Sequence, residues 1–230
     1  MNLIKSIINE SYLLIEVLDL KYKMNTDTLI STDLHGINVL TIPGFLANNR
    51  YLKTFNEYLQ SNGCKVHSPK FKRSRNLDFS EETLDGMIDQ IVRIHRSSYA
   101  PIYIVGHSLG GMYARAIANR LPCYVKGIIT IGSPYMIDPE KHLPAIGHFF
   151  KLINDINTQS YAILEEIKNI PSNVKNLAIW SDIDGIVAPE VCYKPSENNK
   201  KITCSHIGMG YNSVIFEEVL TALYDFEHNK

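Results

Sequence analysis

Two hydrophobic rhythms alternate along this chain. Short runs, Asn38–Ile42, 102–105, Val125–Ile131 and 176–180, are apolar at nearly every position. Between them lie longer stretches in which apolar residues recur every three or four positions. Residues 52–59 place Leu52, Phe55 and Leu59 on one face. Glu81–Ser98 places Leu84, Ile88, Ile91 and Ile94 at spacings near 3.6, with acidic residues in its first turn. Residues 114–121 form a helix stopped by Pro122, and 214–226 a closing helix. A brief strand at Lys65–His67 ends before Pro69, and a last strand is expected at 201–204. Uniformly apolar strands separated by helices predict an α/β fold, with a mostly parallel central sheet covered by helices on both faces.

The alternation lapses between residues 132 and 172, where Pro134, Pro139, Pro144 and Pro171 punctuate the chain. Phe149, Leu152, Ile153 and Ile156 share one helical face there, and Ile163, Leu164 and Ile167 another. With strands on either side, residues 134–172 are expected to be a small cap inserted into a single domain spanning 1–230. The apolar cap residues, Phe150 included, either cover a bound ligand or seal the domain's own core.

Residues 3–20 form a further amphipathic helix, with Leu3, Ile4, Ile7, Ile8, Ser11, Leu14, Ile15 and Leu18 at helical spacing. Asn9, Glu10, Glu16 and Asp19 interrupt what would otherwise resemble a signal peptide, and no small-residue cleavage site follows. The helix is expected to dock on the domain, with a membrane-surface or dimer contact as the alternative.

Composition narrows the classes. At 230 residues, 45% hydrophobic, 20% charged and a net charge of −1, the chain is an ordinary globular sequence with no global field favouring nucleic acid or an acidic membrane. Cys64, Cys123, Cys192 and Cys204 are scattered without metal-ligand spacing. They read as reduced thiols of a cytoplasmic protein, and no metal or organic cofactor is expected.

The densest chemical signal is Gly106-His107-Ser108-Leu109-Gly110-Gly111, which leaves the strand at 102–105 and opens the helix that follows. Gly-x-Ser-x-Gly in that context is a nucleophile elbow. A serine hydroxyl is almost un-ionised at neutral pH, so it needs a base in reach and a third group to orient that base. In this arrangement the partners follow in the order serine, acid, histidine. Two carboxylates follow the strand at 176–180. Asp184 is preferred because Gly185 permits a sharp return, and Asp182 is assigned to turn capping or a supporting contact. His206 follows the last strand and is assigned as the base, in preference to His107. Backbone N–H groups of Leu109 and of Phe45, in Pro43-Gly44-Phe45, are the candidate oxyanion donors. A basic run, Lys70-Phe71-Lys72-Arg73-Ser74-Arg75, lies on the same sheet edge, either solvated or facing an anionic group.

Ile42-Pro-Gly-Phe45, Gly106 to Gly111, Ile131-Gly-Ser-Pro134, Ser181 to Val187 and Ser205 to Gly210 together resemble the α/β-hydrolase superfamily, in particular its small bacterial lipase- and esterase-like members. The likeness runs from Asn38 to Tyr224. It implies an esterase acting through an acyl-enzyme on Ser108, with Asp184 and His206 completing the triad and a small-molecule or lipid-like acyl ester as substrate. An acyltransferase or thioesterase would use the same residues, and a non-enzymatic binding module is the third alternative. Two features differ from many relatives: the oxyanion loop begins Pro43-Gly44 rather than His-Gly, and one helix stands where larger members have two further strands.

Overall fold

The computed structural model describes residues 8–26, 29–45, 47–70, 79–138 and 158–228. Six strands form one sheet: β1 (Asn38–Ile42), β2 (Lys65–His67), β3 (Ile102–His107), β4 (Val125–Ile131), β5 (Lys175–Trp180) and β6 (Asn199–Lys201). Their order is β2-β1-β3-β4-β5-β6, and every pairing is parallel. The helices are α1 (Leu13–Asn25), α2 (Lys53–Ser61), α3 (Glu81–Ser98), α4 (Leu109–Arg120), α5 (Thr158–Glu166) and α6 (Ser213–His228).

The strands are apolar throughout because both sheet faces are covered. Leu40, Ile42, Ile104 and Ile128 join an apolar cluster with Leu84 and Ile91 of α3, Met112 and Ile117 of α4, and Ile163 and Leu164 of α5. Val39, Tyr103, Val105 and Ile129, on the opposite parity, join Leu20 of α1, Phe55 and Leu59 of α2, and Phe216, Val219 and Leu223 of α6. Burying each such side chain stabilises the fold by about 1.5–3 kcal/mol before the entropy of ordering is subtracted.

The register sets the working edge. Ile42 lies beside Gly106, His107 beside Ile131, and Ile131 beside Ile179, so the segments after β1, β3, β4 and β5 leave the sheet at one rim. The order reverses at β1, which has β2 on one side and β3 on the other. A crevice at such a switch point is where open α/β sheets place their sites.

Three details depart from the sequence reading. The last strand is Asn199–Lys201 rather than 201–204. Its partner β5 ends at Trp180, and beyond it the Ser181 hydroxyl replaces the ladder, donating to the Cys204 carbonyl (2.7 Å) and accepting from the Cys204 N–H (3.0 Å). The N-terminal helix is Leu13–Asn25, preceded by a helical turn at 8–10, rather than 3–20; residues 1–7 lie outside the described residues. It docks with its polar side inward: Asn9, Glu16 and Leu20 are buried, while Ile8, Leu14, Ile15 and Leu18 are 56–67% exposed. Of the expected cap, residues 139–157, with Phe149, Phe150, Leu152, Ile153 and Ile156, lie outside the described residues, as do positions 71–75 of the basic run. Ile163, Leu164 and Ile167 are fully buried in the cluster on α4, so this part of the segment seals the core. Among the described residues, no helix is long and apolar enough to cross a membrane.

Candidate active site

Ser108 sits between β3 and α4 with φ 53° and ψ −121°, in the left-handed half of backbone space that an L side chain enters at a cost. Its N–H donates to the Ile131 carbonyl (2.8 Å) and its carbonyl accepts from Gly111 N–H (3.0 Å), so both sides of the strained residue are pinned. The turn closes because its flanks carry no side chains. A methyl group on Gly106 would overlap the carbonyl of Gly110, and one on Gly110 would overlap the carbonyl of Ile42.

The expected acid and base follow β5 and β6, further along the same sheet. Asp184 follows β5, and its Oδ1 accepts from the N–H groups of Ile186 (2.8 Å) and Val187 (2.7 Å). Its Oδ2 accepts from Nδ1 of His206 at 2.6 Å. That bond fixes the tautomer, placing the proton on Nδ1 and leaving Nε2 as the ring's acceptor. Ser108, Asp184 and His206 are 2, 3 and 4% exposed, so this chemistry is shielded from bulk water. Burial alone would lower the His206 pKa; the charge and hydrogen bond of Asp184, helped by the charge of Glu10, outweigh it and hold the imidazole above its usual 6.5. Asp182 lies apart from the ring. It accepts from Thr203 Oγ1 (3.0 Å) and Lys201 Nζ (3.2 Å), which hold its carboxyl below the usual value against the opposing effect of burial.

Among the described residues the Ser108 hydroxyl makes no hydrogen bond to His206. Such contacts between nucleophile and base are often long before substrate binds and tighten in the reacting complex. The loop after β1 lies directly against the serine: a methyl on Gly44 would sit 3.0 Å from Ser108 Cβ. Phe45 is the next residue, and Leu109 is the first residue of α4, where backbone N–H groups have no partner within the helix. Both expected oxyanion donors therefore belong to segments that border Ser108.

Around this site lie His107, which the sequence offered only as an alternative base, and residues to which it assigned no part. His107 packs beside the base, with ring centroids 4.8 Å apart, and donates from Nε2 to the His206 carbonyl (3.1 Å). Tyr51 lies against the His107 ring, donates from its hydroxyl to the Ile207 carbonyl (2.7 Å) and accepts from Gly210 N–H (3.0 Å). Glu10 and Glu16, which in the sequence only interrupted an apolar stretch, reach into the loop that carries His206. The signal was present as acids within an amphipathic helix, but spacing alone does not say what they face.

An all-parallel sheet with a strained serine elbow at its switch point defines the α/β-hydrolase fold. A family model described as the PGAP1-like alpha/beta domain matches residues 70–192, more than half of the chain, and this chain belongs to that family. The matched region holds Ser108 and Asp184 and stops before His206. Solved structures share the fold at low identity. The mature form of the Bacillus licheniformis lipase BlEst2 superposes with a TM-score of 0.64, covering 85% of this chain and 95% of that one at 14% identity. The metagenomic carboxyl esterase MGS0156 gives 0.62, covering 87% and 78% at 12% identity. A monoacylglycerol lipase from Paleococcus ferrophilus gives 0.58, covering 84% and 97% at 13% identity. No protein of curated function matches the sequence.

Proposed function

We propose that this chain is a serine hydrolase of carboxylic esters, working through an acyl-enzyme on Ser108 with His206 as base and Asp184 as its partner. One observation carries the reading: the 2.6 Å Asp184–His206 hydrogen bond stands at the sheet rim where the strained Ser108 elbow ends. The esterase and lipase names of the structural neighbours favour an ester over other acyl compounds.

In this mechanism Ser108 Oγ forms a bond to the substrate carbonyl carbon as its proton passes to His206 Nε2. The carbonyl π electrons move to oxygen, and the oxyanion is met by the N–H groups of Leu109 and Phe45; one such donor contributes about 10²–10³ in rate. The imidazolium, stabilised by Asp184, then protonates the departing alkoxide as the ester C–O bond breaks. Water repeats the sequence on the acyl-enzyme: His206 takes a proton from the water as it attacks, and returns one to Ser108 Oγ on release of the acid. General-base assistance of this kind contributes about 10²–10⁴. No metal or organic cofactor takes part in these steps. The four free cysteines suit a reducing compartment such as the cytoplasm. The substrate is a small-molecule or lipid-like acyl ester.

The test is turnover of p-nitrophenyl esters of graded acyl length by the intact chain and by Ser108→Ala. Release of p-nitrophenol by the parent and its loss in the variant support the reading; equal rates in both would end it. An acyltransferase or thioesterase passes through the same intermediate, and analysis of products with an alcohol, amine or thioester present separates those activities from hydrolysis.

A further inference from the structure

The helical turn at 8–10 and helix α1 place two carboxylates against the loops that hold the base and the acid. Glu10 Oε1 accepts from the N–H groups of His206 (2.9 Å) and Gly185 (3.0 Å), and Oε2 accepts from Ile207 N–H (3.0 Å). One side chain thus bonds the residue after Asp184, the base itself and the residue after the base. Six positions on, Glu16 Oε1 accepts from Ser205 N–H (2.8 Å) and Oε2 from the Ser205 hydroxyl (2.5 Å), which also accepts from Gly208 N–H (3.0 Å). The loop from 205 to 207 therefore has three consecutive N–H groups bonded to carboxylates lying some 190 residues away in sequence. This explains why the helix turns Glu10 and Glu16 inward: they pair a row of backbone donors beneath it, and a buried N–H without a partner costs about 1–3 kcal/mol.

We propose that Glu10 is a positioning residue for the reaction, tying the acid loop to the base loop so that Asp184, His206 and Ser108 keep one relative geometry. The inference rests on the reading of Ser108, His206 and Asp184 as the triad. Without Glu10, the peptide N–H groups of Gly185 and His206 would have to find other acceptors, and the backbones of the two loops beside the ring would lose their shared acceptor, leaving the Asp184–His206 side-chain bond and the Ser181–Cys204 contacts to join them. A side chain that acts only on stability would leave the chemistry of the imidazole unchanged. Glu10 would not, because its charge lies beside that ring. The groups facing His206 are Asp184 after β5, Glu10 on the N-terminal turn and His107 at the end of β3; Glu16 and Tyr51 hold the adjoining residues Ser205 and Ile207, and Cys204, two residues before the ring, is bonded to Ser181. The two carboxylates favour the charged form of the ring, and His107, itself held neutral, packs against it.

The experiment compares the full chain with Glu10→Gln, Glu10→Asp and Ser108→Ala, measuring the rate of Ser108 labelling by a fluorophosphonate against pH. In parallel, NMR follows the His206 ring titration and amide exchange at Gly185, His206 and Ile207. Glutamine keeps the reach but offers one acceptor oxygen for three donors. Aspartate keeps the charge and shortens the reach. For Glu10→Gln we expect labelling slowed by about 10- to 100-fold, the loss that small misplacement of catalytic groups produces. We also expect the His206 midpoint moved to lower pH and the three amides exchanging faster. For Glu10→Asp the rate falls while the midpoint stays nearer that of the parent. Parent-like rate, titration and exchange in Glu10→Gln would overturn the proposal, as would a loss of rate accompanied by an unmoved midpoint and unmoved exchange. If the parent and Ser108→Ala react alike, the triad reading fails instead; the titration and exchange still decide whether Glu10 ties the two loops.

Discussion

The side chain of His107 donates from Nε2 to the backbone carbonyl of His206, so the neighbour of the serine holds the backbone of the base. Nδ1 of His107 is buried and has no hydrogen-bond partner among the described residues. Burial, and then the charge on His206, press its pKa well below 6.5, so the ring stays neutral. A base with a depressed folded pKa contributes stability that is present above its unfolded value of 6.5 and is lost as pH falls below it toward the folded value. In thermal unfolding followed from pH 8 to pH 4, His107→Phe should be less stable than the parent at pH 8, by about 1–3 kcal/mol for the unpaired carbonyl. The gap should narrow below pH 6.5. A gap constant across that range would mean that His107 is not held neutral by the fold.

The raised pKa of His206 has the opposite consequence for activity. The base must be neutral to accept the serine proton, so the acid limb of the rate profile should lie above pH 6.5. Asp184→Asn removes the charge that raises it and favours the wrong tautomer. The expected loss in kcat is about 10³–10⁴-fold with the fold retained, and the residual acid limb should move to lower pH. Steady-state kinetics from pH 5 to 9, with circular dichroism as the folding control, measure both.

Gly106 and Gly110 meet backbone to backbone, and the contact leaves no room for a methyl group. Gly106→Ala should therefore destabilise the chain by about 3 kcal/mol, as a strained insertion into a packed turn, and abolish activity by displacing Ser108. Urea unfolding midpoints give the first quantity. A variant of parental stability would mean that the turn is not closed by that contact.

Ser108 makes no side-chain cap for α4 and occupies a positive φ. Glycine tolerates that conformation, so Ser108→Gly should raise stability by about 0.5–1 kcal/mol while removing ester turnover. A stability lower than that of the parent would show that the elbow is not strained.

Much of this architecture was legible in the sequence because burial on both faces writes strands as apolar runs and helices as 3.6-residue stripes. Five of the six strands stand within one or two residues of where the pattern placed them, and the elbow was plain because its glycines are dictated by contact. β6 was misjudged because its three residues, Asn199–Lys201, are all exposed, whereas the apolar Ile202 and Cys204 that suggested a strand lie just beyond it, Ile202 N–H bonded to the Trp180 carbonyl and Cys204 to the Ser181 hydroxyl. The N-terminal helix misled for a different reason. Periodicity reveals two faces but not which one points inward, and here the inward surface offers backbone N–H groups, which select Glu10 and Glu16 over Leu14 and Ile15. Pairing of Asp184 with His206 could be anticipated from chain order; the roles of His107 and Tyr51 could not, since both depend on a loop about a hundred or more residues away in sequence folding back over them.

The most direct measurement is to trap the acyl group itself. The full chain is mixed with a p-nitrophenyl ester, quenched in acid within the first turnover, and digested for mass spectrometry. The account predicts the acyl mass on the peptide containing Ser108, its absence in Ser108→Ala, and its near absence in His206→Ala. Acylation found on another residue, or undiminished in His206→Ala, would contradict it.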